Sequence, residues 1–421
     1  MAGGVADAPR ILIMRVLLAH PGTQHAFRLA RELDARGLLG EFWTGFALAE
    51  HGAGAAFART VRGWPMIGGL GSRIATGVAG SRVRTIPGNE LRALWQLRQG
   101  GESHAVLHDR NRRFQQRIPS ESLAHSDAII GFDTSGWVLT ERAAAANKPF
   151  MLDRSIAHPA CIARNLAQLR LQYPEWQSAD SGRPAEVRAA EDAEHAGAAR
   201  IVVAGSFARQ SLLEAGIDPA KIRVNPYGVD WSRFAATAPA TGASPGETRP
   251  VRFLFVGSLI GRKGVPVLIE AWRRVSPRDA ELWLVGPCGA RERALIPPLA
   301  GLRVVGPVPH PDLPGIYGSA DVLVLPSFVE GFGLVLLEAL AAGLPIISTP
   351  NTGAVDLIRE PAMGAVVPAG SVGALEAELR RWLAAPPDRA RVSAAATPLA
   401  ATHSWTAYGD RWAEILREFA T

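Results

Sequence analysis

Along most of the chain, short continuous apolar runs alternate with runs of helical spacing. Arg15-Val16-Leu17-Leu18-Ala19 is β-compatible without polar alternation, the pattern of a parallel strand buried on both faces. A loop, His20 to His25, follows. From Ala26 to Gly37 the spacing turns helical, with Phe27, Leu29, Ala30 and Leu33 inward and Gly37 as the stop. Further strands are predicted at Glu41–Gly45, Asp127–Phe132, Pro149–Asp153, Arg200–Ala204 and Lys221–Pro226. Helices are predicted at Leu107–Arg117, Thr140–Asn147, Glu186–Ala196 and Phe207–Ala215, the last capped by Ser206. Residues 50–100 are Gly- and Arg-rich with weak periodicity and yield no assignment.

Ala235 to Pro250 is rich in Pro, Gly and Ala and reads as a linker or surface loop. Strand and helix signals then restart. Strands are predicted at Arg252–Gly257, Glu281–Gly286, Leu302–Gly306, Ala320–Leu325 and Pro345–Thr349. Helices are predicted at Val265–Val275, from Leu334 onward and at Leu375–Leu383, with a last amphipathic helix from Ser404 to Phe419. A second round of alternation after a linker predicts an α/β chain of two doubly wound, Rossmann-like domains. The first opening lacks GxGxxG, which weakens a dinucleotide reading.

Composition adds limits. The 421 residues suffice for two domains, and 48% apolar with 20% charged residues fits a globular chain with a full core. Cys161 and Cys288 fall in different predicted domains, so no disulfide framework is expected and a reducing cytoplasm fits. The apolar stretch Ile11–Ala19 is short and broken by Arg15, unlike a signal peptide. No apolar run reaches membrane-spanning length. Residues before Met14 read as a loose tail, with Met14 as an alternative start. Formal net charge is +6, yet between Arg59 and Arg117 eleven arginines face only Glu90, Glu102 and Asp109. That excess fits a solvated face. The alternative is a patch for a polyanionic acceptor or for anionic lipid, which would place the protein against the inner face of the membrane. A nucleic-acid partner is not expected, because the region shows no aromatic-interleaved or zinc-type reader pattern.

Two stretches carry candidate chemistry. Gly257-Ser258-Leu259-Ile260-Gly261-Arg262-Lys263-Gly264 ends the restart strand and sets two cations between glycines. Such a turn lets backbone and charge approach a diphosphate; a lone Arg-Lys pair is otherwise a surface feature. Only three lysines occur in the chain, and Lys263 is one of them. Glu330-Gly331-Phe332-Gly333-Leu334 leads into a helix that carries Glu338. Helix amides favour an anion, and a carboxylate at either end could hold hydroxyls. The plainer reading makes Glu330 a cap and Glu338 part of a solvated face. Both stretches follow strands of one predicted parallel sheet, so both belong at one edge.

From about residue 186 onward, and loosely before it, the chain resembles glycosyltransferase family 4, a group of retaining GT-B enzymes. The resemblance rests on Gly257–Gly264, on Val322-Leu323-Val324-Leu325-Pro326-Ser327, and on the Glu-x7-Glu motif Glu330…Glu338 followed by Ala341-Ala342-Gly343-Leu344-Pro345. Arg200–Asp230 and Ser404-Trp405…Tyr408…Trp412 resemble the end of the first domain and a C-terminal helix crossing back to it. The resemblance implies two domains facing across a cleft: 14–230 on the acceptor side, 231–403 for the nucleotide-sugar donor, and 404–421 as the returning helix. It implies that Arg262 and Lys263 hold the donor diphosphate, with Gly257 and Ser258 beside them. It places Glu330 on the sugar, the amides of Gly331, Phe332, Gly333 and Leu334 nearby, and Glu338 on the ribose. Val308, Pro309 and His310 fall at the expected base pocket. His158 falls near sugar and acceptor, with a locally bonded loop histidine as the alternative. Gly22 and Thr23 fall on the acceptor side, as does His25, a weaker candidate.

The implied reaction is retaining transfer of a hexose from a nucleotide-diphosphate sugar to a hydroxyl of a glycan, lipid or small molecule. Neither metal nor bound cofactor is expected; the sugar nucleotide is a co-substrate. Two departures bear on the acceptor side. Tyr227-Gly228-Val229-Asp230 replaces the family's Asn-Gly-Val-Asp, and Pro21-Gly22-Thr23-Gln24 replaces a glycine pair. A non-catalytic nucleotide-binding scaffold and a nucleotide-sugar epimerase are the competing readings.

Overall fold

In the computed structural model, residues 14–51, 56, 73–177, 184–235 and 249–420 are described. The tail before Met14, Arg59, Arg62 and all but the ends of the 235–250 linker lie outside them. The chain packs as two units. One comprises residues up to Arg154, Pro184–Val202 and the C-terminal segment from Gly409; the other comprises Ser155–Arg183 and Val203–Tyr408. The boundary expected at residue 230 falls inside the second unit.

In the first unit, parallel strands run in the order Val83–Thr85, Leu39–Thr44, Val16–His20, Ala128–Phe132 and Phe150–Arg154, then Arg200–Val203. The apolar run at the N-terminus is an interior strand, paired on both sides, and Val16, Leu17 and Leu18 are wholly buried. Each fully buried side chain of this kind contributes roughly 1.5–3 kcal/mol, so a strand covered on both faces must read as a continuous apolar run. The helix Ala26–Ala35 lays Leu29, Ala30 and Leu33 on the sheet. At the C-terminus, Asp410 pairs with Arg36 at 2.8 Å and Glu418 with Arg200 at 2.6 Å.

In the second unit six parallel strands run in the order Leu302–Gly306, Ala280–Val285, Val251–Val256, Val322–Leu325, Ile346–Ser348 and Gly364–Val366. The helix Val265–Val275 buries Val265, Val267, Leu268, Ala271 and Trp272. In both sheets the strand order reverses beside the first strand of the sheet, Val16–His20 or Val251–Val256, which is the position where doubly wound sheets open a crevice beyond their carboxyl ends. In the second unit this switch point lies between Val251–Val256 and Val322–Leu325.

Three local details differ from the sequence reading. Residues 50–100, left unassigned, hold the strand Val83–Thr85 and the helix Pro87–Arg98. A fourteen-residue helix, Pro159–Gln172, follows His158. Ser206 is the first residue of its helix; the N-cap is Gly205, and no side chain caps it. The amide of Ser206 instead donates to Asp356 Oδ2 at 2.9 Å, so a distant carboxylate satisfies the helix end.

Candidate functional site

The strand Val251–Val256 delivers the chain to Gly257 at the switch point. A short 3-10 turn, Gly261–Lys263, then aims Arg262 and Lys263 back over the sheet edge. Gly264 closes that turn with φ +76, and a Cβ there would sit 1.9 Å from the Pro326 carbonyl oxygen. Only glycine lets the first loop lie this close to the second. The amide of Phe328 donates to the Arg262 carbonyl at 2.9 Å and ties the two loops together.

The partner loop brings Glu330 to the same place. Lys263 Nζ donates to Glu330 Oε2 at 2.5 Å. Arg262 Nη1 donates to the Val329 carbonyl at 2.6 Å and stands 3.7 Å from Glu330 Oε1. The three side chains keep 16%, 14% and 28% exposure for Lys263, Glu330 and Arg262. Burial alone would raise the Glu330 carboxyl, but the charges of Lys263 and Arg262 outweigh it and hold it below the usual carboxylate range. The result is an ionised carboxylate between two cations at a loop edge.

Behind Glu330 the backbone is fixed from two sides. Its amide donates to the Asn351 carbonyl at 3.0 Å. Asn351 Nδ2 donates to Phe328 O at 2.7 Å and to Asn165 Oδ1 at 2.8 Å. A Cβ on Gly331 would lie 1.8 Å from the Ser155 carbonyl oxygen. The segment after the strand Phe150–Arg154 therefore presses directly on the glutamate loop. Ala157, Cys161, Ile162 and Val329 form a buried apolar cluster under this contact. His158 sits in that segment as the N-cap of its helix: Nδ1 accepts from the Ala160 amide at 3.2 Å, and its own amide donates to Ser211 Oγ at 2.8 Å. The structure thus places His158, Ser155 and Gly331 in one unit.

Gly333, with φ +87, turns the chain into the helix Leu334–Ala341. Phe332 beneath the turn is buried, stacked on His403 and edge-on to Tyr227. Tyr227, where the family pattern has Asn, thus packs against the loop that carries Glu330. Glu338 is 6% exposed one turn along the helix. Its Oε2 accepts from Tyr317 Oη at 2.7 Å, and its Oε1 stands 3.4 Å from His310 Nε2. Burial and then the Glu338 carboxylate push the Tyr317 phenol well above its usual range, so it is a donor throughout. Arg233 Nη1 lies 3.1 Å from His310 Nδ1 and Nη2 donates to the His310 carbonyl at 2.7 Å. An arginine has no acceptor, so Nδ1 accepts and the ring proton sits on Nε2, facing Glu338. Pro309 is exposed and Val308 half-buried next to this histidine.

Arg262, Lys263, Glu330, Gly331, Gly333, Leu334 and Glu338 are thus brought to one sheet edge with Gly257 and Ser258. Asn351, Asn165, Tyr317 and Arg233, none of them among the expected site residues, join them, as does Tyr227, noted above only as a departure from the family pattern. Asn351 had a usable signal, since it follows the strand Ile346–Ser348 at the same edge. Tyr317 and Arg233 had none. In the first unit Gly22 and Thr23 are half-buried on the loop after Val16–His20. His25 is buried, and its Nε2 meets Asp153 Oδ2 at 2.9 Å.

Residues 250–385 match the family described as glycosyl transferases group 1. Among curated proteins the chain is similar to the putative colanic acid biosynthesis glycosyltransferase WcaL of Salmonella typhimurium, 31% identical over 41% of this chain and 44% of that one. It is also similar to the D-inositol 3-phosphate glycosyltransferase of Kineococcus radiotolerans, 30% identical over 62% of this chain and 64% of that one. The chain spans about half the length, 44% to 53%, of the first curated relatives it matches. Solved structures resemble it over almost its whole length. Sucrose-phosphate synthase from Thermosynechococcus elongatus superposes with TM-score 0.64 at 19% identity, covering 96% of this chain and 98% of that one. Anabaena HepE in complex with UDP and glucose gives 0.63 at 15%, covering 96% and 100%. These likenesses establish the fold as GT-B.

Proposed function

We propose that this chain, related to the group 1 glycosyltransferases through residues 250–385, is a retaining glycosyltransferase of the family 4 kind. It moves a hexose from a nucleotide-diphosphate sugar to an acceptor hydroxyl. The observation that carries the reading is the Lys263–Glu330–Arg262 cluster at the mouth of the Leu334–Ala341 helix, with Glu338 held on that helix. HepE, of the same fold, is described in complex with UDP and glucose, and a UDP-sugar is the first donor to test here.

The chemistry follows from these groups. Arg262, Lys263 and the first helix amides receive the diphosphate, whose charge grows as its bond to the anomeric carbon breaks. Glu330, kept ionised by the same cations, accepts from sugar hydroxyls. Glu338 accepts from the ribose hydroxyls. In a retaining transfer the acceptor oxygen bonds the anomeric carbon on the face the diphosphate leaves. The acceptor proton then passes to the departing phosphate oxygen. His158 stands at the sugar end, its Nδ1 engaged by the helix it caps. With two cations and a helix end on the leaving group, turnover is expected to survive chelation of divalent metal.

A thermal-shift screen against UDP-, GDP-, ADP- and TDP-sugars tests the reading. A donor present at about a hundred times its Kd should stabilise by about 2.7 kcal/mol. No stabilisation by any donor would sink it. Stabilisation by a donor whose own sugar is inverted, with no acceptor consumed, would turn the assignment to an epimerase. Unchanged turnover in Glu330→Ala, with the fold intact, would show that the site is misplaced.

A further inference from the structure

We propose that the outward face of the helix Pro87–Arg98 docks the protein on an anionic lipid surface. This inference does not depend on the transferase reading.

An ordinary surface helix turns its apolar residues inward and its polar residues out. This one is inverted. Its buried residues are Asn89, Glu90 and Ala93. Asn89 Nδ2 donates to the Arg110 carbonyl at 2.7 Å, and Glu90 Oε2 lies 3.8 Å from Arg73 and 3.6 Å from Arg110. These polar contacts fix the rotation of the helix. The face left outside carries Leu91, Leu94 and Trp95, exposed by 66%, 52% and 63%. Their spacing puts them on one stripe. Leu107, on the neighbouring helix Ser103–Arg117, is 37% exposed. Three large apolar side chains on one stripe are more than the scattered exposure usual on a surface.

Charge selects the occupant. Arg92 and Arg98 flank the stripe on the same helix, and Arg117 ends the next; all three are exposed. Among the described residues none of the three has a carboxylate partner, whereas Arg112 and Arg113 are both taken up by Asp109. Leucines and a tryptophan ringed by unneutralised arginines match the headgroup boundary of an anionic bilayer. The apolar stripe enters the acyl edge while the guanidinium groups meet the phosphates. A bilayer needs no shaped counter-surface, which suits a convex helix. Among the described residues no helix is long and apolar enough to cross a membrane, so the contact proposed lies along the surface.

Co-sedimentation of the full chain with vesicles tests this directly. Wild-type protein should pellet with phosphatidylcholine vesicles containing phosphatidylglycerol, less so as salt rises, and stay in solution with phosphatidylcholine alone. The pair Leu94→Ser, Trp95→Ser and the pair Arg92→Gln, Arg98→Gln should each weaken binding by about tenfold or more, with unchanged melting temperature. Bromine-labelled acyl chains should quench a fraction of the tryptophan fluorescence that is absent in Trp95→Phe. That measurement decides the matter if the serine pair fails to fold. Wild-type protein that ignores vesicles of both compositions would overturn the proposal. So would variants that bind as wild type, or a serine pair that alters only self-association and leaves vesicle binding intact.

Discussion

Both units carry ionisable side chains near the carboxyl ends of their parallel strands, but they treat them oppositely. In the second unit Lys263, Arg262 and Glu330 meet at a loop edge and all retain some exposure. In the first unit Arg154 and Glu191 pair at 2.7 Å with no exposure at all. His20 is buried there, and burial holds its pKa down to about 3. Glu194 accepts from the Gly136 and Thr134 amides at 2.7 and 3.0 Å, yet burial raises its pKa to about 8. A strand end therefore locates charge without saying whether that charge faces a ligand or the interior. In the second unit glycines let two loops and their charges converge at the rim. In the first unit the charged residues lie on the strand Phe150–Arg154 and the helix Ala185–Gly197, beneath the surface.

The contrast predicts that mutations in the two clusters fail in different ways. Arg154→Ala strands Glu191 in the interior, and a broken buried pair costs about 3–5 kcal/mol of stability. Denaturant unfolding should show that loss, while the folded fraction binds the proposed nucleotide-sugar donor as wild type does. Lys263→Ala should do the reverse. Turnover should fall roughly 10²–10³-fold, the scale for removing one donor to a developing charge. The melting temperature should fall less than in Arg154→Ala, because Arg262 stays 3.7 Å from Glu330 and still compensates its charge. If Lys263→Ala unfolds the chain as badly as Arg154→Ala while each folded molecule remains active, the distinction between the clusters is wrong.

Titration sharpens the comparison further. The Glu194 carboxyl holds its proton in the folded state up to about pH 8, against 4.5 as its ordinary value. Between those values the folded state binds more protons, so its contribution to stability falls as pH rises. His20 acts oppositely: neutral in the fold down to about pH 3, it contributes fully above its ordinary 6.5 and loses that contribution as pH falls. Of these two groups, Glu194 is the one that goes on changing well above 6.5. Stability measured from pH 6.5 to 8 should therefore decline by up to roughly 2 kcal/mol, at about 1.4 kcal/mol per unit per proton. Glu194→Gln should flatten that slope. An equal slope in the variant would remove Glu194 as its source.

The sequence made the second unit more legible than the first, for a physical reason. A strand buried on both faces must be apolar throughout, and a loop that presses on another must be glycine; both leave marks in one dimension. Gly257–Gly264 and Glu330–Glu338 could be read this way. Asn165 could not, because it reaches Asn351 from a helix 186 residues away in sequence. The helix Pro87–Arg98 leaves no such mark, because its exposed leucines and buried Glu90 invert the expected pattern. The buried state of His25 leaves no mark for a similar reason, since its partner Asp153 lies on the strand Phe150–Arg154, 128 residues away in sequence.

The smallest expected effect concerns Glu338, one turn inside the helix that Glu330 precedes. Tyr317 touches the proposed ribose group only through Glu338, so it is a positioning residue. Tyr317→Phe removes a 2.7 Å bond to a buried carboxylate but leaves the ring that packs edge-on against Phe234. A hydrogen bond to a charged group contributes about 1.5–3 kcal/mol. Part of that should be recovered, because Glu338 keeps His310 Nε2 at 3.4 Å. The expected outcome is a rise in donor KM of roughly three- to tenfold, about 0.6–1.4 kcal/mol of binding, with kcat nearly unchanged. Lys263→Ala should show the opposite split. A Tyr317→Phe variant that lost kcat instead would move Glu338 from the ribose to the reacting sugar, and would merge the two ends of the site that the structure keeps apart.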